Sequence, residues 1–134
     1  MTALHPDQRC LYTLVHAPRE RNEEILRDFV TPVAGEVRGC PELDSLFFAR
    51  FNVPSWQLRF RILGRPDWIE EDVRRLVEER LAPLQEAGWI ERVEFAVYDR
   101  EVERYGGPVG MVLAEKIFLH DSLACLDLME AERR

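Results

Sequence analysis

Trp56-Gln57-Leu58-Arg59-Phe60-Arg61-Ile62-Leu63, residues 56–63, is the stretch on which the fold turns. Trp56, Leu58, Phe60 and Ile62 fall on one side of it, and Gln57, Arg59 and Arg61 on the other. A period of two is that of a β-strand, and one apolar and one polar face place it in a sheet packed on a core from one side. Gly64 and Pro66 end it.

Upstream, residues 52–55 contain Pro54 and are short enough for a hairpin connection back to residues 43–51 (LDSLFFARF), a second apolar and β-prone run. Residues 19–38 carry Ile25, Leu26, Phe29 and Val33 on one helical face; Pro32 is expected to kink or break that helix, and Gly39 to stop it. Residues 10–16 (CLYTLVH) read as the first strand, after a loose lead-in over residues 1–8.

Downstream, residues 67–87 place Ile69, Val73, Leu76, Val77, Leu81 and Leu84 at helical spacing. Asp67 suits an N-cap with Glu70 completing a capping box, and Gly88 closes the helix. Residues 90–98 alternate again, with Val93, Phe95 and Val97 against Glu94, Ala96 and Tyr98. After Gly106-Gly107-Pro108 a long helix runs to about residue 131. The order β-α-β-β-α-β plus a last helix predicts an α+β fold. It is a ferredoxin-like split βαβ sandwich, with a four-stranded antiparallel sheet and two helices on one face. The other face, bearing Gln57, Arg59, Arg61, Ala96 and Tyr98, is left for the final helix or a partner to cover.

The 134 residues suit one domain. A hydrophobic fraction of 46% with 32% charged residues is that of a globular protein. No apolar run is long enough to span a bilayer and no signal pattern is present, so a cytoplasmic location is expected. A net charge of −7 argues against direct nucleic-acid binding. Cys10, Cys40 and Cys125 are odd in number and irregularly spaced, which suits reduced, packed thiols. Gly106-Gly107-Pro108 matches neither GxGxxG nor a P-loop, and His5, His16 and His120 lack ligand spacing; no cofactor and no metal are expected.

Two stretches carry a family resemblance. One is Phe47-Phe48-Ala49-Arg50-Phe51, then Pro54, then Gln57-Leu58-Arg59-Phe60-Arg61; the other is YDREVERYGGPVGMVLAEKIFLHDS, residues 98–122. The second resembles a YxxExxRYGG…aE.iF..DS signature at Tyr98, Glu101, Arg104-Tyr105-Gly106-Gly107, Glu115, Phe118 and Asp121-Ser122. Both are similar to the thiopeptide-type bacteriocin biosynthesis domains that form the C-terminal part of lantibiotic dehydratases. The resemblance runs from about residue 10 to about 130 and covers the front half of that domain. Gln57 stands where the family often has histidine. The family's second half, with a histidine implicated in elimination, has no counterpart here.

The resemblance implies maturation of a ribosomally made peptide by elimination of glutamate from glutamylated Ser or Thr. A precursor peptide, and a partner dehydratase or glutamylating enzyme, are the implied partners. Arg59 and Arg61, two apart on one strand, share a face, and Arg104 follows the fourth strand; by resemblance the three hold glutamate. Guanidinium suits that task because it stays charged and binds carboxylates bidentately. The other reading is that they pair with Glu94, Glu101 or Glu103 and solvate a sheet face. Tyr105 is a candidate oxyanion donor or proton-transfer group, or packs over the Gly-Gly turn. Glu115 and Asp121-Ser122 lie on or near the last helix, the Asp-Ser pair capping a break or bonding the turn. His120 is the residual candidate base. Two other classes stay open: a non-catalytic peptide-binding or scaffold subunit of a split dehydratase, and a small dimer acting on an unrelated metabolite. Self-association is expected through Phe47, Phe51 or the apolar face of residues 111–129.

Overall fold

The computed structural model describes residues 7–133, so His5 and most of the expected lead-in lie outside the described residues. Strand β1 is Arg9–His16, β2 Leu43–Phe51, β3 Gln57–Gly64 and β4 Arg92–Ala96. They form one sheet in the order β2-β3-β1-β4, with every pair antiparallel. That is the split βαβ arrangement expected, because each helix returns the chain to the far side of a central strand.

Helix α1, residues 19–37, is composite: a 3₁₀ turn Arg19–Arg21, an α-turn Asn22–Ile25, a π turn Leu26–Val30 and an α-helix Thr31–Val37. The break expected at Pro32 does not occur. The wider turn before it, closed by Thr31 N–H donating to the Leu26 carbonyl, carries the helix through. Helix α2, residues 66–86, comprises Pro66–Trp68, a π turn Ile69–Val73 and Arg74–Glu86. The expected capping box is absent. The N-cap lies two residues earlier, at Arg65; Asp67 accepts from the Trp68 N–H at 3.0 Å, and Glu70 pairs instead with Arg9 at 3.2 Å. Gly88, at φ 77°, ends α2 as expected.

Both helices pack on one face of the sheet. Leu11, Val15, Leu46, Leu58, Phe60 and Ile62 meet Ile25, Leu26, Phe29 and Val33 of α1 and Ile69, Val73, Val77 and Leu81 of α2 in one core. Phe29 meets Phe60 edge-on at 5.7 Å. Each such buried side chain contributes about 1.5–3 kcal/mol. Helix α3, Gly107–Glu132, packs along the edge strand β2: its first half lies on the opposite face, and its second half reaches the helical side, where Leu126 joins the core and Asp127 pairs with Arg38 at 3.0 Å. Its start is set by Gly106 and Gly107, at φ 83° and 94°, and by Gly110, where a Cβ would strike the Tyr105 carbonyl. No break occurs at Asp121-Ser122: both lie within α3, and the Ser122 hydroxyl accepts from the Phe48 N–H at 3.2 Å, tying helix to strand. No helix among the described residues is long and apolar enough to cross a membrane.

Candidate functional site

The register lines up side chains in ranks across the face that α3 partly covers. Phe47, Arg61, Tyr12 and Ala96 stand in one rank; Ala49, Arg59, Leu14 and Glu94 in the next; Phe51, Gln57, His16 and Arg92 in the one after. Arg61 therefore sits mid-sheet with aromatic neighbours on both sides. Its guanidinium carbon lies 4.4 Å from the Tyr12 ring centroid and 5.4 Å from those of Phe47 and Tyr98. Nη2 donates to the Tyr12 hydroxyl at 2.9 Å, while Nε is buried without a partner.

No carboxylate among the described residues pairs with Arg61 or with Arg59. Arg59 stacks at 4.0 Å on Phe51 and donates from Nε to the Gln57 carboxamide oxygen at 3.2 Å. Glu94, the acid of the same rank, is engaged by Arg92 at 2.7 Å and lies 3.5 Å from His16. The alternative reading, that the arginines pair with Glu94, Glu101 or Glu103, is thus not met at Arg59 and Arg61. Arg104 differs. It is exposed, bonds Glu101 at 2.9 Å, and that bond raises its pKa further. Arg104 shares no hydrogen-bond or ring partner with Arg59 or Arg61 among the described residues. Tyr105 packs edge-on against Phe118 at 5.6 Å, and Phe118 lies 5.2 Å from Phe47. His120 is exposed on α3, and Phe47 is buried rather than available for association.

What sequence reasoning missed lies deeper. Arg100 and Glu115 form a bidentate pair, Nη2 to Oε1 at 2.6 Å and Nε to Oε2 at 3.0 Å, with side chains only 9% and 4% exposed. The Tyr98 hydroxyl donates to the same Oε2 at 2.9 Å, and the Ser45 hydroxyl donates to the Glu115 carbonyl at 2.7 Å. Burial, then the charge and hydrogen bond of Glu115, push the Tyr98 phenol well above its ordinary range. Cys10, on the same face, has its thiol pushed up to about 12 by burial, which Arg61 opposes. A signal for Arg100 was present: the alternation of β4 continues beyond the strand, so Ala96, Tyr98, Arg100 and Val102 turn inward while Val97, Asp99 and Glu101 are exposed.

The site is thus a strand arginine held among aromatic rings, braced by a buried ion pair beneath α3, with a second arginine beside it. Its cations have hydrogen-bonding capacity left over, which is what anion recognition requires.

Comparison with known proteins agrees with the fold and places the chain in a family. Subtilin biosynthesis protein SpaB of Bacillus subtilis is 28% identical over 117 residues, 87% of this chain and 11% of SpaB. The crystal structure of MibB, a tRNA-dependent lantibiotic dehydratase from Microbispora sp. 107891, matches all of this chain and 13% of its own at 30% identity, with a TM-score of 0.80. TsrL matches 92% of this chain and 35% of its own, at 26% identity and a TM-score of 0.65. The chain therefore spans about a tenth of SpaB and MibB and about a third of TsrL. The family described as lantibiotic biosynthesis dehydratase C-term matches residues 11–134, and this chain belongs to it.

Proposed function

We propose that the chain acts in maturation of a ribosomally made peptide, binding the glutamyl group of a glutamylated Ser or Thr and promoting its elimination. The observation that carries this reading is Arg61, mid-sheet and buried at Nε, with no carboxylate partner and Arg59 beside it equally free of one. In the elimination a base takes the Cα proton, the electron pair forms the Cα=Cβ bond, and the Cβ–O bond breaks as glutamate leaves as a carboxylate. Arg61 and Arg59 supply fixed positive charge where that carboxylate develops. The aromatic rings around Arg61 limit water, which strengthens the interaction.

One observation favours a second reading, that the chain binds peptide without catalysing elimination. The side chains that surround the Arg61 guanidinium are Tyr12, Phe47 and Tyr98, with no histidine or unpaired carboxylate among them to serve as the base. A partner would then supply it.

The test is to mix the protein with a precursor peptide glutamylated at one Ser and follow binding, and loss of glutamate by mass. Arg61→Ala is expected to weaken binding or turnover by roughly 30-fold or more, since a lost charged contact costs about 2–5 kcal/mol. Equal behaviour of Arg61→Ala and wild type would remove the arginines from the mechanism. Binding without glutamate loss, with a partner dehydratase added, would select the second reading.

A further inference from the structure

Seventeen arginines stand against a net charge of −7, so partners are plentiful, and nearly every described arginine has one. Most are ion-paired, and Arg59, Arg61 and Arg74 stack on aromatic rings. Among the described arginines, only Arg19 and Arg50 have side chains with neither kind of partner, and these two line the same cavity. The cavity measures about 350 Å³ and is completed by Asn22, Asn52 and Trp56. Arg19 opens α1 and Arg50 lies near the end of β2, so the fold brings them together from 31 positions apart around the β2–β3 hairpin. Both arginines are exposed, and the cavity they line carries two positive charges and no carboxylate among its lining residues. Glu91 lines the adjoining cavity with Arg19, Asn52 and Trp56, yet pairs with neither arginine.

We infer that this cavity is a second anion-recognition site, one that takes the carboxylate of an acidic residue in a peptide. Two planar forks suit a single carboxylate, and the Asn22 and Asn52 carboxamides can bond the adjoining peptide groups. An RNA backbone would need a continuous run of cations, whereas this site has two on an acidic protein. The position has a consequence for the site already described. Arg50 is opposite Leu58 and Ala49 opposite Arg59 in the β2–β3 register, so Arg50 and Arg59 leave the same end of the hairpin on opposite faces. A peptide held by an acidic residue at Arg19 and Arg50 can pass round residues 52–55 to reach Arg59 and Arg61. That last step alone rests on the proposed peptide substrate; the carboxylate site does not.

The experiment is a ¹⁵N-NMR titration of the full chain that follows the Trp56 indole N–H and the Asn22 and Asn52 carboxamides. The probes are acetyl-glutamate methylamide, its glutamine counterpart, inorganic phosphate and a short oligouridylate. Saturable shifts at these three residues are expected with the glutamate probe and not with the glutamine one. Arg19→Gln and Arg50→Gln should each weaken them at least tenfold, and the same spectra report whether each variant is folded. Arg61→Ala should leave them unchanged, so failure of the Arg61 site and failure of this one are distinguished. No localised shift with the glutamate probe, equal shifts with the glutamine probe, or shifts with phosphate or oligouridylate alone would each overturn the assignment.

Discussion

Glu115 accepts from both Arg100 and Tyr98 at a depth where little water reaches, so each partner depends on the others. Breaking a buried pair strands the remaining charge, which costs about 3–5 kcal/mol, whereas replacing both by apolar groups costs far less. Glu115→Gln and Arg100→Met should therefore each lower stability to urea by that order. Arg100→Met with Glu115→Met should recover most of the loss, and a larger loss in the double variant would refute the account. Arg75→Ala, at an exposed ion pair with Asp72, should cost under about 1 kcal/mol. The same depth sets a pH dependence. Cys10 and Tyr98 hold their protons more tightly folded than unfolded, so above about pH 9 the unfolded chain loses protons first and stability falls as pH rises. Urea midpoints measured from pH 7 to 11 should decline, and Cys10→Ser with Tyr98→Phe should flatten the slope. An unchanged slope in that variant would place the titration elsewhere.

At the level of elements, the strands were the most legible. Alternation at β3 placed Leu58, Phe60 and Ile62 in the core and Arg59 and Arg61 on the far face, because a period of two has only one reading. Helix ends were less so. Asp67 satisfied a sequence rule for N-caps, but Pro66 with its fixed φ could start the helix two residues before that cap allows, and did. The choice among the arginines of DREVERY was not legible from motif position. The β4 alternation carried past Ala96 turns Arg100 inward, but its pairing with Glu115 depends on where α3 packs, a fact of contact between distant segments. Glycines separate local from tertiary demands in the same way. Gly35, in α1, has nothing within 4 Å of an added Cβ, whereas at Gly110, in α3, the Tyr105 carbonyl occupies that space. Gly35→Ala should gain about 0.5–1 kcal/mol by reducing backbone freedom in the unfolded chain. Gly110→Ala should lose about 1–3 kcal/mol through the clash. Thermal melts of the two variants that moved in the same direction would show that α3 does not approach the Tyr105 carbonyl as described.

Across the whole molecule, the outstanding feature is that α3 is apolar outside as well as in. Met111, Ala114 and Leu126 are buried, Leu126 in the main core, yet Val109, Val112, Leu113, Ile117 and Leu128 are 45–74% exposed. An exposed apolar row of this kind suits an association surface. β4 adds Val97, 86% exposed just past its end, at an open sheet edge. The surface differs from the one expected from sequence, since Phe47 is buried under α3 and Phe51 is occupied by Arg59, which leaves the helix exterior. Self-association at micromolar concentration should therefore run through Val109–Ile117. Sedimentation velocity should show a species larger than 15.7 kDa that shifts with dilution. Leu113→Glu with Ile117→Glu should return it to the monomer with its circular dichroism unchanged, because both side chains already face solvent and a charge there costs the fold little. A wild type that stays monomeric throughout, or a charged variant that still associates, would remove α3 as the contact. Since α3 also braces Arg61 through Glu115, the association-deficient variant should retain the glutamyl-peptide binding of wild type. Loss of both together would mean that the site is completed only in the assembly.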